Sequence, residues 1–210
     1  MRVIAGTARR LPLKAPFGMN TRPTSDQIKE TLFNMIQGDV AGAYFLDLFA
    51  GSGQMGIEAL SRGGLYSVFV ENNRKAQECI EDNIKFTKFE KDSLLIKSDV
   101  ISALRTIENK YKFDIVFMDP PYNNDYEKEV LEYLKNSSLL KEDTLIIIEA
   151  SVETSFDYLD ELGYELIKYT VKRSICLFTS KSFSHNLLAI IVVSPLLCYR
   201  FIMNCFLLSP

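Results

Sequence analysis

The stretch Asp47-Leu48-Phe49-Ala50-Gly51-Ser52-Gly53-Gln54-Met55-Gly56 limits what this chain can become more than any other. The apolar run Tyr44-Phe45-Leu46 precedes it, and the helix-like run Ile57-Glu58-Ala59-Leu60-Ser61-Arg62 follows it. Strand, glycine turn and helix in that order build a nucleotide-type pocket. Gly51 and Gly53 carry no Cβ, so the backbone turns sharply and a ligand can come close. The unpaired N–H groups of the next helix then face that ligand. Such turns are common in α/β proteins, so the reading leans on what lies downstream.

Strands and helices alternate from there. Tyr66-Ser67-Val68-Phe69-Val70 reads as a second strand and ends at Glu71, about 20 residues beyond Gly51. An acidic side chain at that spacing accepts hydrogen bonds from ribose hydroxyls, and Asn72 beside it joins the same candidate site. The alternative is a cap for the helix Arg74 to Lys88, in which Cys79 reads as core. Ser93 to Lys97 is a third strand. Asp99 after it either pairs with an adenine amino group or caps the helix Ile101 to Glu108. Before the glycine turn, Thr24 or Ser25 caps a helix whose Ile28, Leu32, Met35 and Ile36 share one face.

Phe113-Asp114-Ile115-Val116-Phe117-Met118 is an apolar fourth strand, as a buried parallel strand should read, and it leads into Asp119-Pro120-Pro121-Tyr122. Two prolines remove two backbone donors and stiffen the turn, leaving carbonyls free to accept. An aspartate, a fixed carbonyl and an aromatic ring within four residues suit a planar group bearing an NH2, with two acceptors and a stacking surface. Further on, a helix is expected over Tyr126 to Lys135, a strand over Thr144 to Glu149 and a helix over Phe156 to Leu162. Tyr164 to Tyr169 and Ser174 to Phe178 read as a hairpin.

The net charge of −3 over 210 residues means that any nucleic-acid contact must come from a local basic patch. Residues 1–25 supply one: Arg2, Arg9, Arg10, Lys14 and Arg22, with no acidic residue among them. Prolines and glycines there argue against a long helix, and Val3-Ile4-Ala5 and Leu11-Pro12-Leu13 read as two short edge strands. The segment is read as an arm that grips phosphates. Four cysteines without a C-x-x-C pair, and one histidine, predict neither zinc site nor disulfide framework, so no metal is expected. Met1-Arg2-Val3-Ile4-Ala5-Gly6 turns polar too soon for a secretory signal, which leads us to expect a cytoplasmic protein. The predicted organisation is a basic arm (1–25), a catalytic domain (26–180) and an atypical apolar tail (181–210). That tail is interrupted by Pro195 and Arg200 and is too broken to span a membrane, so no membrane partner is expected.

Together, Asp47-Leu48-Phe49-Ala50-Gly51-Ser52-Gly53 and Asp119-Pro120-Pro121-Tyr122 resemble the S-adenosylmethionine-dependent methyltransferases of exocyclic amino groups. With Arg2 to Gly6, Thr21 to Asp26 and Gly56 to Gly63, the chain is similar to the bacterial 16S ribosomal RNA guanine-N2 methyltransferases, which modify guanine 966. The likeness covers about residues 1–173; from about residue 180 the chain departs from that family.

The resemblance implies a Rossmann-like class I α/β fold, a seven-stranded, mostly parallel sheet whose last strand is antiparallel. It implies that Asp47, Phe49, Ala50, Gly51, Ser52 and Gly53 hold the methionine part of S-adenosyl-L-methionine, Glu71 with Asn72 the ribose, and Asp99 with Val100 the adenine. Asp119, Pro120 and Tyr122 would hold the guanine. The implied partner is 16S ribosomal RNA or a small ribosomal subunit during assembly, met by a monomer. An adenine-N6 DNA or glutamine-N5 protein methyltransferase, a nicotinamide-dependent oxidoreductase and a non-catalytic RNA-binding module remain alternatives.

Overall fold

The structure, a computed structural model, describes residues 1–16, 26–121, 124–150, 154–170, 176–177 and 188–193. Its strands are β1 (Tyr44–Leu48), β2 (Tyr66–Val70), β3 (Ser93–Ile96), β4 (Phe113–Met118), β5 (Leu140–Ala150), β6 (Glu165–Thr170), β7 (Cys176–Leu177) and β8 (Leu188–Val193). Its helices are α1 (Asp26–Met35), α2 (Gln37–Val40), α3 (Gln54–Ser61), α4 (Arg74–Thr87), α5 (Val100–Ile107), α6 (Tyr126–Leu134) and α7 (Leu159–Leu162). The strands join one sheet in the order β3-β2-β1-β4-β5-β8-β6, with β7 pairing β8. Consecutive parallel strands need a crossover, and a helix of the right length separates each of the first five.

Side chains from the parallel strands alternate between two cores. Leu46 and Leu48 of β1, Val68 and Val70 of β2 and Val116 and Met118 of β4 pack with Ala103, Leu104 and Ile107 of α5 and Val130, Leu131 and Leu134 of α6. On the other face Phe45, Ile115, Phe117 and Ile147 meet Leu32 and Phe33 of α1 and Met55 and Ala59 of α3. Burial on both faces explains why β4 is apolar from Ile115 to Met118, while Asp114 near its start accepts the Tyr44 N–H and pairs with Lys141. A third cluster joins Val3, Ala8 and Leu13 to Ile57, Phe69, Ile80 and Ile84. The described part of the basic arm is therefore packed down. Its two expected edge strands pair with each other, through an isolated bridge between Arg2 and Pro12 and a Val3 N–H to Leu11 carbonyl bond of 3.0 Å, and not with the sheet.

Two expectations need correcting at the far edge. Among the described residues the sheet has eight strands rather than seven, and the last of them, β8, lies parallel to both β5 and β6. The only antiparallel ladder among the described residues is β7 on β8. The expected hairpin of β6 with β7 is thus replaced by β8, which joins both of them. The cause lies in the apolar tail: Leu188-Ala189-Ile190-Ile191-Val192-Val193 is rich in β-branched residues and reads as well for a buried strand as for any apolar segment. The α/β, mostly parallel architecture stands. No helix among the described residues is long and apolar enough to cross a membrane.

Candidate active site

Strand order places the site. From β1 the chain winds outward through β2 to β3, then returns to lay β4 on the other side of β1. Ligands bind outside the carboxyl ends of strands at such a reversal, because the loops there part and leave a crevice. Register brings the loops level. Leu48 pairs with Val70 on one side and with Met118 on the other, and Met118 pairs with Ile148. The chain therefore leaves the sheet side by side at Phe49, Glu71 and Asp119, while β5 runs on beside them through Glu149 to Ala150.

The glycine turn is held from several directions. Gly51 has φ +56° and Gly53 φ +73°, conformations that favour glycine. A Cβ on Gly51 would meet nothing nearer than the Phe49 carbonyl at 4.0 Å, so the space over it is open. Phe49 itself, with φ +58°, is a bulky residue in the left-handed region and marks local strain at the turn. Asp47 is 1 % exposed and accepts the Gly56 N–H at 3.0 Å, so it braces the loop from behind. Burial pushes its carboxyl up to about 8, against the lowering effect of the Gly56 bond, and the Glu71 charge adds to the rise. Gly56 lies against the Phe69 ring, where a side chain has no room.

Glu71 links the turn to β2. One carboxylate oxygen accepts the Gly51 N–H at 2.8 Å and the other the Asn73 N–H at 2.8 Å. The cap of α4 is Asn73, whose side chain accepts from the Lys75 and Ala76 N–H groups. A carboxylate offers about four lone-pair positions, so Glu71 keeps capacity for a ligand's hydroxyls. Asn72 is exposed beside it. Asp99 caps α5 through the Ser102 N–H at 2.9 Å, and that bond holds its carboxyl below the ordinary value. It is exposed at the same sheet edge, with Val100 buried next to it.

Opposite the glycine turn stands Asp119, partly buried, with Pro120 buried behind it. Its carboxyl is raised well above the usual carboxylate value, first by burial and then by the negative charges of Glu149, Asp47 and Glu127. The sequence reading missed Glu127 and Glu149. Glu149 closes the apolar run Ile146-Ile147-Ile148 at the strand's carboxyl end, which is a legible signal once β5 is placed beside β4. Glu127 sits in the first turn of α6, where an acid reads merely as complementing the helix dipole. Tyr126 packs against Phe49 with ring centroids 5.6 Å apart, so the start of α6 closes over the glycine turn. Among the described residues no three His, Cys, Asp or Glu side chains converge to hold a metal ion. Tyr122 and Arg22 lie outside the described residues.

The arm is tied to the site through buried charge. Glu58 of α3 accepts the Ile4 N–H at 2.8 Å, the Ala5 N–H at 3.0 Å and Arg62 Nε at 2.8 Å. Lys29 of α1, fully buried, stands 3.7 Å from Glu58 and donates to the Arg2 carbonyl at 2.6 Å. Arg2 and Lys14 are exposed and pair with Asp26 and Asp82. Arg9 and Arg10 are exposed and enter no ion pair among the described residues.

A glycine turn and an acidic Pro-Pro loop facing each other at the switch point of a mostly parallel sheet define a protein of the Rossmann-like methyltransferase class. Comparison with known proteins agrees. A putative methyltransferase from Escherichia coli, yhhF, superposes with a TM-score of 0.66 at 29% identity, covering 89% of this chain and 93% of that one. A putative methylase from Haemophilus influenzae, HI0767, gives 0.63 at 26%, covering 88% and 93%. The putative rRNA methyltransferase YlbH of Bacillus subtilis is 40% identical over 150 residues, 71% of this chain and 82% of that protein. Ribosomal RNA small subunit methyltransferase D of Escherichia coli is 33% identical over 153 residues, 73% and 76% of the two chains. The family model described as Conserved hypothetical protein 95 matches residues 1–174, and the chain belongs to that family.

Proposed function

We propose that this protein transfers a methyl group from S-adenosyl-L-methionine to the exocyclic N2 amine of a guanine in small-subunit 16S ribosomal RNA, at guanine 966. The observation that carries the reading is the level exit of Phe49 and Asp119 from paired strands, which sets a ligand-accommodating turn against an acceptor-rich loop. The names of the relatives, rRNA and small-subunit methyltransferases, favour the same substrate class.

The residues present fit the cofactor. The open space over Gly51 admits a close ligand, and Glu71 has acceptor capacity for ribose hydroxyls. Phe49, Ala50, Gly51, Ser52 and Gly53 would hold the methionine part, Glu71 with Asn72 the ribose, and Asp99 with Val100 the adenine. Asp47 would act by bracing the turn. When bound, the cofactor supplies a methyl group on a sulfonium, which is already a good leaving group.

The remaining difficulty is the amine, whose lone pair is delocalised into the purine. Asp119 and the Pro120 carbonyl would accept its two N–H bonds and turn the lone pair toward the incoming methyl group. Holding the reactants in line supplies much of the rate. As the N–C bond forms the amine becomes cationic, and Asp119, whose raised carboxyl value reflects an electron-rich, desolvated setting, takes the released proton. Tyr122 would stack on the base once it has left its own stack.

Arg2, Arg9, Arg10, Lys14 and Arg22 would bind RNA phosphates from the arm 1–25, beside a catalytic domain 26–180 and the tail 181–210. The working state would be a cytoplasmic monomer acting on the RNA or on a subunit under assembly. The test is tritiated methyl transfer to unmodified small-subunit particles and to free RNA, followed by nucleoside analysis. Label in N2-methylguanosine is expected. Label in N6-methyladenine, in protein or nowhere would overturn the reading.

A further inference from the structure

Glu127 is a polar side chain whose burial nothing within the described structure explains. It is 2 % exposed, yet its Oε1 has no hydrogen-bond partner. A buried, unsatisfied carboxylate oxygen costs several kcal/mol, of the order of ~2–7, unless a partner arrives. Native proteins keep few such atoms, and those that persist mark strain, a functional role, or a place filled by water or an ion. Burial raises its carboxyl against the lowering effect of its own backbone N–H, the Asp125 charge adds to the rise, and Oε1 accepts nothing.

Its place in the fold says where that partner comes from. Glu127 lies in the first turn of α6, directly after the loop that begins at Asp119. The preceding residue, Tyr126, packs on Phe49 of the glycine turn, so this helical turn lies against the glycine side of the crevice. Glu127 is near enough to Asp119 for its charge to raise the Asp119 carboxyl. A second acceptor therefore lies within electrostatic reach of the group that would hold the reactive amine, on the helical turn that packs against the glycine turn.

Nucleobase chemistry distinguishes what a second acceptor can bind. Guanine carries a ring donor, N1–H, next to its exocyclic amine. Adenine and cytosine carry a ring acceptor, N1 or N3, next to theirs. A carboxylate beside the amine acceptor is thus matched to guanine and repels the other two. We infer that Glu127 is a specificity-determining residue that accepts the N1–H of the target guanine through Oε1, while Asp119 holds its N2 amine. The inference rests on the guanine-N2 reading and deepens it. It accounts for a buried oxygen that the chemistry at Asp119 leaves unused.

The experiment uses the full chain with small-subunit particles reconstituted from RNA ligated to carry either guanine or 2,6-diaminopurine at the methylated position. Diaminopurine keeps the N2 amine and replaces the N1–H donor with a lone pair. The wild-type protein should prefer guanine by about 10- to 100-fold in kcat/KM, the range that one matched polar contact confers. In Glu127→Gln the side-chain amide can donate, so the preference should collapse or reverse, with guanine activity falling and diaminopurine activity rising. Affinity for S-adenosylmethionine, measured by calorimetry, should stay within about twofold, because Glu127 faces the base. A merely structural role would lower both activities together.

Equal wild-type rates on the two purines would sink the inference whether or not the variant folds. A wild-type preference for diaminopurine would do the same, since it is the mark of a protonated Glu127 that donates. An unchanged guanine preference in Glu127→Gln would also overturn it. Failure of the wild type to methylate either purine in the presence of cofactor would instead remove the guanine-N2 reading beneath it.

Discussion

Asp119 is asked to accept, and its surroundings make that harder. Burial and three nearby carboxylates favour its protonated form, in which it cannot take a proton from the amine. Methyl transfer should therefore rise with pH along an acidic limb set by this group. Removing one of the neighbouring charges in Glu149→Gln should move that limb to lower pH, because less repulsion opposes ionisation. A single-turnover pH profile of both proteins measures this; a limb that stays put or moves upward would show that Asp119 does not control it. In Asp119→Ala we expect cofactor affinity to persist and transfer to fall about 100-fold or more, on the scale of a missing general base. Near-wild-type transfer with retained affinity would remove Asp119 from the reaction.

At the scale of elements, the arm, α1 and α3 form one unit through Glu58. Its buried carboxylate receives two backbone donors from the arm and two cationic side chains, of which Lys29 is fully buried and Arg62 partly so. Replacing one member of a buried charge pair leaves the other uncompensated. Glu58→Ala should cost about 3–5 kcal/mol in urea denaturation. It should also weaken RNA binding, because the Ile4 and Ala5 amides lose their anchor; unaltered RNA affinity would mean that the arm is held elsewhere.

These elements are legible in the sequence to different degrees. β1, β2 and β4 and the glycine turn are local patterns of apolar runs and turn residues, and the structure keeps them within a residue or two; of the loop after β4 it describes Asp119, Pro120 and Pro121. The convergence of Asp47, Asp119, Glu127 and Glu149 is not legible, because they come from three strands and a helix and meet only through strand order and register. The buried role of Lys29 and Glu58 is hidden for a similar reason, since charged residues on helices ordinarily face solvent. The position of β8 escapes a sequence reading because an apolar tail does not announce which neighbours it will pair with.

For the whole molecule, charge is distributed against the net sign. The protein carries −3 overall, yet Arg9 and Arg10 project from the packed arm without acidic partners among the described residues. Removing a cation that neutralises one phosphate should lower the salt slope of RNA binding by roughly one. Arg9→Ala with Arg10→Ala should reduce it by about two, with little sequence preference; an unaltered slope would place the RNA elsewhere. Folding stability should carry the mark of Asp47. Its carboxyl lies at about 8 in the folded chain against an ordinary 3.8, so the folded state binds more protons between those values. The stability it confers is complete below about pH 3.8 and is lost as pH rises to about 8, with a slope of at most about 1.4 kcal/mol per pH unit. Asp47→Asn should flatten the stability profile of the ligand-free protein across that window, as read by thermal denaturation at successive pH values.

Glu71 is engaged even before any ligand arrives, since it already clasps the amides of Gly51 and Asn73. A sugar that docks there must share or displace those clasps, so filling the crevice and loosening or tightening the turn become one thermodynamic event. Deuterium uptake at the Gly51 amide then serves as a built-in gauge of occupancy, responding to the nucleoside half of a ligand even when no methyl group is present to be transferred.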